Sequence, residues 1–197
     1  WARLYAGSTS GFGAVHLKPG AGAPVPSGGI SGLQFGYNLL ASRHLLLGIE
    51  VDAARARIED SVSKLDPTPA DLQADTVRLD SLVTLRGRLG YAFDRSLFYV
   101  TAGATWADVH VKSASSFVAA PVIATTDTIA RGWVVGGGIE QALWPNWSGK
   151  LEYQFIHLNP FDIADTNGSV ARLRADAQTI RAGLNWHLNG LGMGTDG

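Results

Sequence analysis

Apolar side chains recur at every second position in several stretches of this chain, and the intervening positions hold charged residues, amides or glycine. In the last such stretch the apolar row consists of Ile180, Ala182, Leu184, Trp186 and Leu188. The intervening row consists of Thr179, Arg181, Gly183, Asn185 and His187. Successive side chains of a β-strand point to opposite faces of the sheet, so a period of two indicates strands. The pattern therefore predicts a sheet with one apolar face and one polar, charged face.

Eight stretches follow this pattern, near residues 1–15, 30–40, 44–58, 76–93, 97–112, 128–143, 148–158 and 175–188. The connections between them alternate between long and short, as in an up-and-down barrel with turns at one rim and loops at the other. All eight prolines fall outside the predicted strand interiors, where the missing N–H is harmless. In the fifth stretch the apolar parity changes after Trp106, so we expect a β-bulge near Ala107 or Asp108.

Composition decides what surrounds this sheet. Charged residues make up 17% of the chain and hydrophobic residues 46%, whereas a soluble protein is about 25% charged. A barrel with charges on its narrow interior and apolar side chains outside has lipid as its solvent. An open sheet edge in hydrocarbon leaves N–H and C=O groups unpaired, so the sheet must close on itself. A soluble β-sandwich is the alternative architecture.

The sequence thus predicts an all-β fold, namely an eight-stranded antiparallel up-and-down transmembrane β-barrel with short periplasmic turns and long extracellular loops. The barrel is expected to span residues 1–188, followed by a glycine-rich periplasmic tail over residues 189–197. No stretch approaches 18 uninterrupted apolar residues, so no transmembrane helix is predicted. A first residue of Trp rather than Met suggests that a targeting segment has been removed.

Charged residues of both signs fall on the predicted inner face. Eight strands enclose an interior just wide enough for side chains to fill, and buried charges are tolerated there when they are paired. We therefore expect a salt-bridge network that plugs the barrel. The alternative is that the same row lines a narrow path for ions. The residues are Glu50, Asp52, Arg86, Arg88, Glu140, Lys150, Glu152 and Arg181.

Aromatic residues cluster at the strand ends next to the short turns. Tryptophan and other aromatic side chains are enriched where a membrane meets water, so these residues are predicted to form an interfacial girdle. They are Trp1, Phe93, Phe98, Trp144, Trp147 and Trp186.

Several short pieces occur in a fixed order along the chain. They are WARLYAG at 1–7, GYN at 36–38, GIEVD at 48–52, RGRLGY at 86–91, YVTAG at 99–103, GW at 132–133, GIE at 138–140, KLEY at 150–153 and RAGLNW at 181–186. Together they resemble the small eight-stranded outer-membrane barrels of alphaproteobacteria, porin-like proteins related to the OmpA-type transmembrane domain. Such chains often end on an aromatic residue, where this one has Leu188.

The resemblance implies a place in the outer membrane of a Gram-negative cell, with roles in envelope integrity and surface contact. It implies outer-membrane lipids and lipopolysaccharide as partners, and protein partners through the loops or the tail. Some relatives are described as binding haem or host molecules. From the residues themselves we expect no nucleic-acid partner, because the net charge is −1 and no basic run occurs.

Three functions remain open at this stage: a sealed structural and interaction barrel, a narrow channel, and a lipid-modifying enzyme. We favour the first and expect no enzyme. The enzyme would need a Ser/His/acid set near one rim, for which Ser8, Ser10 and His157 qualify by residue type alone. No cofactor is expected, because the five histidines lack metal-binding spacing and cysteine is absent. His16 and His110, near predicted loop ends, are the candidates for a weak haem or metal site.

Function is expected to reside in the long loops, which are the variable part of such a barrel. The segment 59–75 is acidic, and the segment 113–127 is unusually apolar for a loop. The apolar segment is either a contact surface or an extension of two strands above the membrane, and we favour the extension.

Overall fold

The structure, a computed structural model, describes Trp1 and residues 3–18, 27–65, 72–117, 120–164 and 170–188. Towards the loop ends of the strands, at 17–18, 58–65, 72–79, 111–117, 120–127, 161–164 and 170–173, it describes only the course of the backbone. The predicted tail, residues 189–197, lies outside the described residues.

Eight antiparallel strands form one closed barrel, in which each strand pairs with its neighbours in the chain and the first pairs with the last. This confirms the predicted fold class. The strands are β1 (Leu4–Lys18), β2 (Ser27–Leu40), β3 (Leu45–Leu65), β4 (Leu72–Phe93), β5 (Ser96–Phe117), β6 (Ala120–Trp144), β7 (Trp147–Ala164) and β8 (Val170–His187). None of the described residues forms a helix long and apolar enough to cross a membrane.

The strands reach much further towards the long loops than the sequence pattern predicts. β3 and β4 remain paired up to Leu65↔Leu72, so most of the acidic segment 59–75 is strand rather than loop. β5 and β6 remain paired up to Phe117↔Ala120, which confirms that the described part of the apolar segment, 113–117 and 120–127, is a strand extension. Above a membrane both faces of a strand meet water, so the polar alternation that marks a strand disappears there.

The polarity of the barrel is inverted, as predicted. Side chains at outward positions are apolar and exposed, for example Ile139 at 38% and Leu184 at 47% of full exposure. The charged side chains at inward positions are almost fully buried, with Arg181 at 1% and Glu140 at 0%. An apolar outer wall in contact with lipid accounts for this arrangement.

The lumen is not charged along its whole length. Towards the long loops, thirteen buried apolar residues form one cluster: Val15, Ile30, Ala54, Ala56, Leu82, Ala107, Val109, Ala130, Val134, Ile156, Leu158, Ala175 and Ala177. Next to the short turns, a second cluster contains Leu46, Ala92, Leu97 and Tyr99, with Trp1 packed against it. The charged residues lie between these two apolar layers.

The bulge predicted in β5 is wrong. Thr105, Ala107 and Val109 are all buried, so the inward parity of β5 does not change; the lumen itself becomes apolar at this level. The register irregularity lies instead in β4, where Leu79 pairs with Val109 and Ser81 with Asp108. An extra residue, Asp80, is therefore accommodated in β4.

Two prolines lie within strands, contrary to prediction. Pro121 is the second residue of β6, where a strand tolerates proline. Pro160 lies in β7 at the register shift between Leu158 and Phe161 on the β8 side. The pairs between β6 and β7 begin only at Gly132↔Leu158, so Pro160 interrupts no regular ladder.

A second set of exposed aromatic residues lies near the opposite rim of the apolar wall. Trp106 and Trp133 point outward and are 37% and 44% exposed. Between Ser96 and Trp106 a tilted strand rises by about 23 Å, close to the apolar band of about 25 Å in outer-membrane barrels. These tryptophans therefore mark the second boundary of the band.

A charge on the outer wall tests this topology. Ile139→Arg places a cation near mid-height, and we expect it to lower the free energy of unfolding by about 2–4 kcal/mol. Phe93→Arg, at the short-turn rim, is the matched control and is expected to lower it by no more than about 1 kcal/mol. The measurement is a urea titration in phospholipid vesicles, followed by the heat-dependent shift in gel mobility. Equal losses for the two variants would contradict a lipid-facing wall.

Candidate functional site

The eight charged residues predicted to share a face are all found in the lumen. They come from β3, β4, β6, β7 and β8, where inward positions alternate with apolar outward ones. Each is at most 5% exposed. Four are acidic and four are basic, so the buried charges balance. The geometry then decides how fully each charge is paired.

Arg86 is the centre of the network. Its Nη2 pairs with Glu50 and its Nη1 with Glu152, so one guanidinium joins carboxylates from two different strands. The Nζ of Lys150 lies 2.9 Å from Glu152 Oε2 and 3.6 Å from Glu50 Oε2. The two cations thus share the two carboxylates, and all four side chains are buried. Such pairing is what makes the burial of all four tolerable.

Two tyrosines that the sequence analysis did not select complete this network. The Tyr5 hydroxyl donates to Glu50, and the Tyr99 hydroxyl donates to Glu152 Oε2 at 2.8 Å. The guanidinium of Arg88 lies over the Tyr99 ring, 3.7 Å from its centroid, and its Nη2 pairs with Glu140. A cation over an aromatic face is attracted by the ring quadrupole, so Tyr99 holds Arg88 in place.

Two inward glycines make room for the tyrosine rings. A Cβ at Gly36 would collide with the ring of Tyr5, and one at Gly138 would collide with Tyr99. The inward parity of Tyr5 and Tyr99 in their strands was the available signal for their role. Parity predicts that these two tyrosines point inward, but it does not predict that their hydroxyls bind the carboxylates of the network.

Glu140 lies at the short-turn end of the network, where it contacts Ser148, His187 and Asn185. Asn185 Nδ2 donates to Glu140 Oε1 at 2.8 Å, and Ser148 Oγ also donates to Glu140. Ser148 Oγ lies 2.8 Å from His187 Nε2, while Glu140 Oε1 lies 3.4 Å from the same nitrogen. In a catalytic triad the acid binds the far ring nitrogen and the hydroxyl is open to substrate. Here acid and hydroxyl share one nitrogen and Ser148 is 1% exposed, so this cluster is part of the network.

Arg181 and Asp52 form the least satisfied pair of the lumen. Arg181 Nη1 lies 2.7 Å from Asp52 Oδ1. In the part of the chain that the structure describes, Asp52 Oδ2 and the Nε and Nη2 atoms of Arg181 have no hydrogen-bond partner. Buried polar groups are nearly always satisfied, so we expect bound internal water to complete the bonds at this pair.

The six residues of the predicted aromatic girdle lie in two different environments. Phe93, Phe98, Trp144, Trp147 and Trp186 are exposed on the outer wall, at 44% to 64%. Trp1 is different, because it packs against the apolar cluster at the short-turn mouth of the lumen. Its ring meets that of His187 edge-on, with centroids 6.0 Å apart. Trp1 therefore covers this end of the lumen rather than facing lipid.

The residues predicted for an enzyme or a metal site are not brought together. His157 contacts Asp176 at 2.6 Å and stacks on Trp133, on the outer wall. Ser8 and Ser10 lie on β1, in register with Leu184 and Ala182 of β8. His16 is exposed, and His110 lies 3.3 Å from Asp80. Among residues whose positions are described, no group of three or more His, Asp or Glu forms a metal site.

Comparison with known proteins bears on the chain as a whole. Residues 1–187 match the family described as Outer membrane protein beta-barrel domain. The 31 kDa outer-membrane immunogenic protein of Brucella melitensis is 30% identical over 164 residues, which cover 82% of this chain and 68% of that protein. The 25 kDa outer-membrane immunogenic protein of Brucella abortus is 25% identical over 189 residues, 94% of this chain and 78% of that protein.

A solved structure agrees with the architecture. The outer membrane protein OprG of Pseudomonas aeruginosa superposes with a TM-score of 0.58 at 13% identity, covering 96% of this chain and 97% of that one. At this identity the likeness concerns the fold alone.

Removing the central cation tests the network. Arg86→Gln leaves Glu50 and Glu152 partly unpaired in the lumen, and we expect it to lower the free energy of unfolding by about 3–5 kcal/mol. Arg95→Gln is the control, because Arg95 is exposed at a turn and its side chain bonds only the Leu143 carbonyl, at 3.3 Å, in the described structure. Urea titration in vesicles measures both. A loss below about 1 kcal/mol for Arg86→Gln would show that the buried pairs contribute little.

Proposed function

The chain belongs to the outer membrane protein beta-barrel domain family and lies in the outer membrane, and from this premise we propose that it is a sealed structural and interaction barrel. In this function the barrel contributes to envelope integrity through its wall and to surface or partner contacts through its loops. The lumen conducts neither ions nor solutes.

One observation carries the proposal: an ionic layer and an apolar layer fill the lumen one above the other. The ionic layer joins five of the eight strands through buried ion pairs. Above it, the apolar cluster contains large inward side chains such as Leu82, Val134 and Ile156, each at most 2% exposed. An apolar constriction excludes water, and an ion does not leave water without replacement ligands. A pathway would therefore have to open both layers.

The proposal includes no catalysis. The one Ser/His/acid contact among the described residues, Ser148 with His187 and Glu140, is enclosed in the lumen with both partners on one nitrogen. Ser148 is 1% exposed, so a lipid substrate at the outer wall does not reach its hydroxyl. Incubation of the purified barrel with phospholipid or lipopolysaccharide is expected to give no product; turnover abolished by Ser148→Ala would contradict this.

The partners we propose are outer-membrane lipids and lipopolysaccharide around the wall, and proteins at the loops or the tail. The wall supports the first part, because most of its outward residues are apolar over a height that fits a bilayer. The names of the Brucella relatives, which are outer-membrane immunogenic proteins, support exposure of loops at the cell surface.

Planar-bilayer recording distinguishes the sealed barrel from a narrow channel. The reconstituted protein is expected to give no steady conductance, because two closed layers block the lumen. Reproducible conductance that changes with Glu140→Gln or Arg181→Gln would favour the channel instead. Gln141→Ala, an outward change on the same strand, is the control and is expected to alter neither conductance nor folding.

A further inference from the structure

The outer wall has a groove across β8, β1, β2 and β3. One part, of about 770 Å³, is lined by residues that include Ser8, Ser31, Ala182 and Leu184. A second part, of about 690 Å³, is lined by residues that include Phe12 and Arg57. Ser10, Ser31 and Arg55 line both, so the two parts form one continuous groove that we call the wall groove.

Small outward residues in adjacent strands produce this groove. Ala182 pairs with Ser10, Ser10 with Ser31, and Ser31 with Arg55, which places three small side chains side by side. The outward positions of β4 hold larger side chains at a similar height, such as Val83 and Leu85. A depression of this volume that crosses four strands accommodates a hydrocarbon chain.

The lining of the wall groove is mostly apolar, but three serine side chains lie in it, on β1 and β2. Ser8, Ser10 and Ser31 are exposed, and their hydroxyls have no side-chain partner within the described residues. A hydroxyl in hydrocarbon without a hydrogen bond is unfavourable. These three hydroxyls therefore favour an occupant that brings its own acceptors or donors, such as ester, amide or hydroxyl groups on an acyl chain.

Two arginines lie at the long-loop end of the wall groove. Arg55 and Arg57 are exposed and form no ion pair in the described part of the chain. Asp80, which precedes the residue paired with Arg55, contacts His110 instead. From Leu45 to Arg55 a tilted strand rises by about 23 Å, so the arginines lie where the apolar band ends and headgroups begin. Guanidinium groups bind phosphate with charge-assisted, bidentate hydrogen bonds.

We infer that the wall groove binds the lipid A part of lipopolysaccharide. One acyl chain occupies the groove over Ser8, Ser10 and Ser31, and a phosphate on the sugar binds Arg55 and Arg57. This occupant fits because its phosphates lie directly above several hydroxylated and amide-linked acyl chains, which match the hydroxyls and the cations together. The inference makes specific one partner of the proposed function, and it rests on the long loops facing outward. It does not depend on a closed lumen.

Native mass spectrometry of the full chain released from detergent tests the site. The probes are deep-rough lipopolysaccharide, the same lipopolysaccharide with its phosphates removed, and phosphatidylglycerol. Each probe is titrated against the folded barrel. We expect the phosphorylated form to bind at one site, and Arg55→Gln/Arg57→Gln to weaken that binding about tenfold or more. The control is Arg43→Gln/Arg95→Gln, which removes two exposed arginines at the opposite rim and is expected to change binding less than about twofold.

A second variant tests the acyl part independently of charge. Ser31→Phe fills the wall groove without changing charge, and we expect it to weaken lipid A binding while the outward change Ala102→Leu on β5 does not. Heat-dependent gel mobility confirms that each variant is folded. Equal losses for the two arginine pairs, equal binding of the dephosphorylated form, or tighter binding of phosphatidylglycerol would each overturn the inference. Bilayer conductance is unaffected by any of these variants, so failure here is separate from failure of the sealed lumen.

Discussion

Arg86 lies between Glu50 and Glu152 in a space that eight strands enclose, and the rest of the structure depends on how those charges are paired. A barrel of this size has an interior only as wide as its own side chains, so every inward group must touch another. Four acids and four bases form ion pairs with one another there. Because this part of the lumen is ionic, the apolar residues that alternate with these charges along each strand point outward, and lipid is the solvent that suits them.

The two apolar layers determine whether the ionic network can form a hydrated path through the barrel. A charged lumen alone is compatible with a hydrated path, but here Leu82, Val134 and Ile156 close the long-loop side. Trp1, Leu46 and Leu97 close the short-turn side. The network is therefore enclosed at both ends, in the way that a protein core is enclosed. Ion pairs in such a core are stable only as complete sets, since removing one partner leaves an uncompensated charge.

The sequence allowed prediction of the barrel and of the charged face, because period two and inward charge are visible residue by residue. It did not allow prediction of the inner apolar layers. Leu82 and Val83, like Val134 and Val135, are adjacent apolar residues, and such pairs hide which one points inward. The sequence pattern predicts a bulge in β5, whereas the extra residue is Asp80 in β4, because a bulge is defined by the register with a neighbouring strand and not by the parity of one strand. The strand extension in the acidic segment 59–75 was missed for a related reason, since polar residues on both faces resemble a loop.

The central claim is that the lumen is closed to bulk water, and single cysteines test it most directly because the chain has none of its own. Val134→Cys places a thiol in the inner apolar layer, and Val135→Cys places one on the lipid-facing wall of the same strand. In folded barrels reconstituted in vesicles, we expect neither thiol to react with a charged, water-soluble reagent, and only the Val135→Cys thiol to react with a membrane-partitioned one. Rapid reaction of the Val134→Cys thiol with the water-soluble reagent would show that water fills the lumen and would contradict the account.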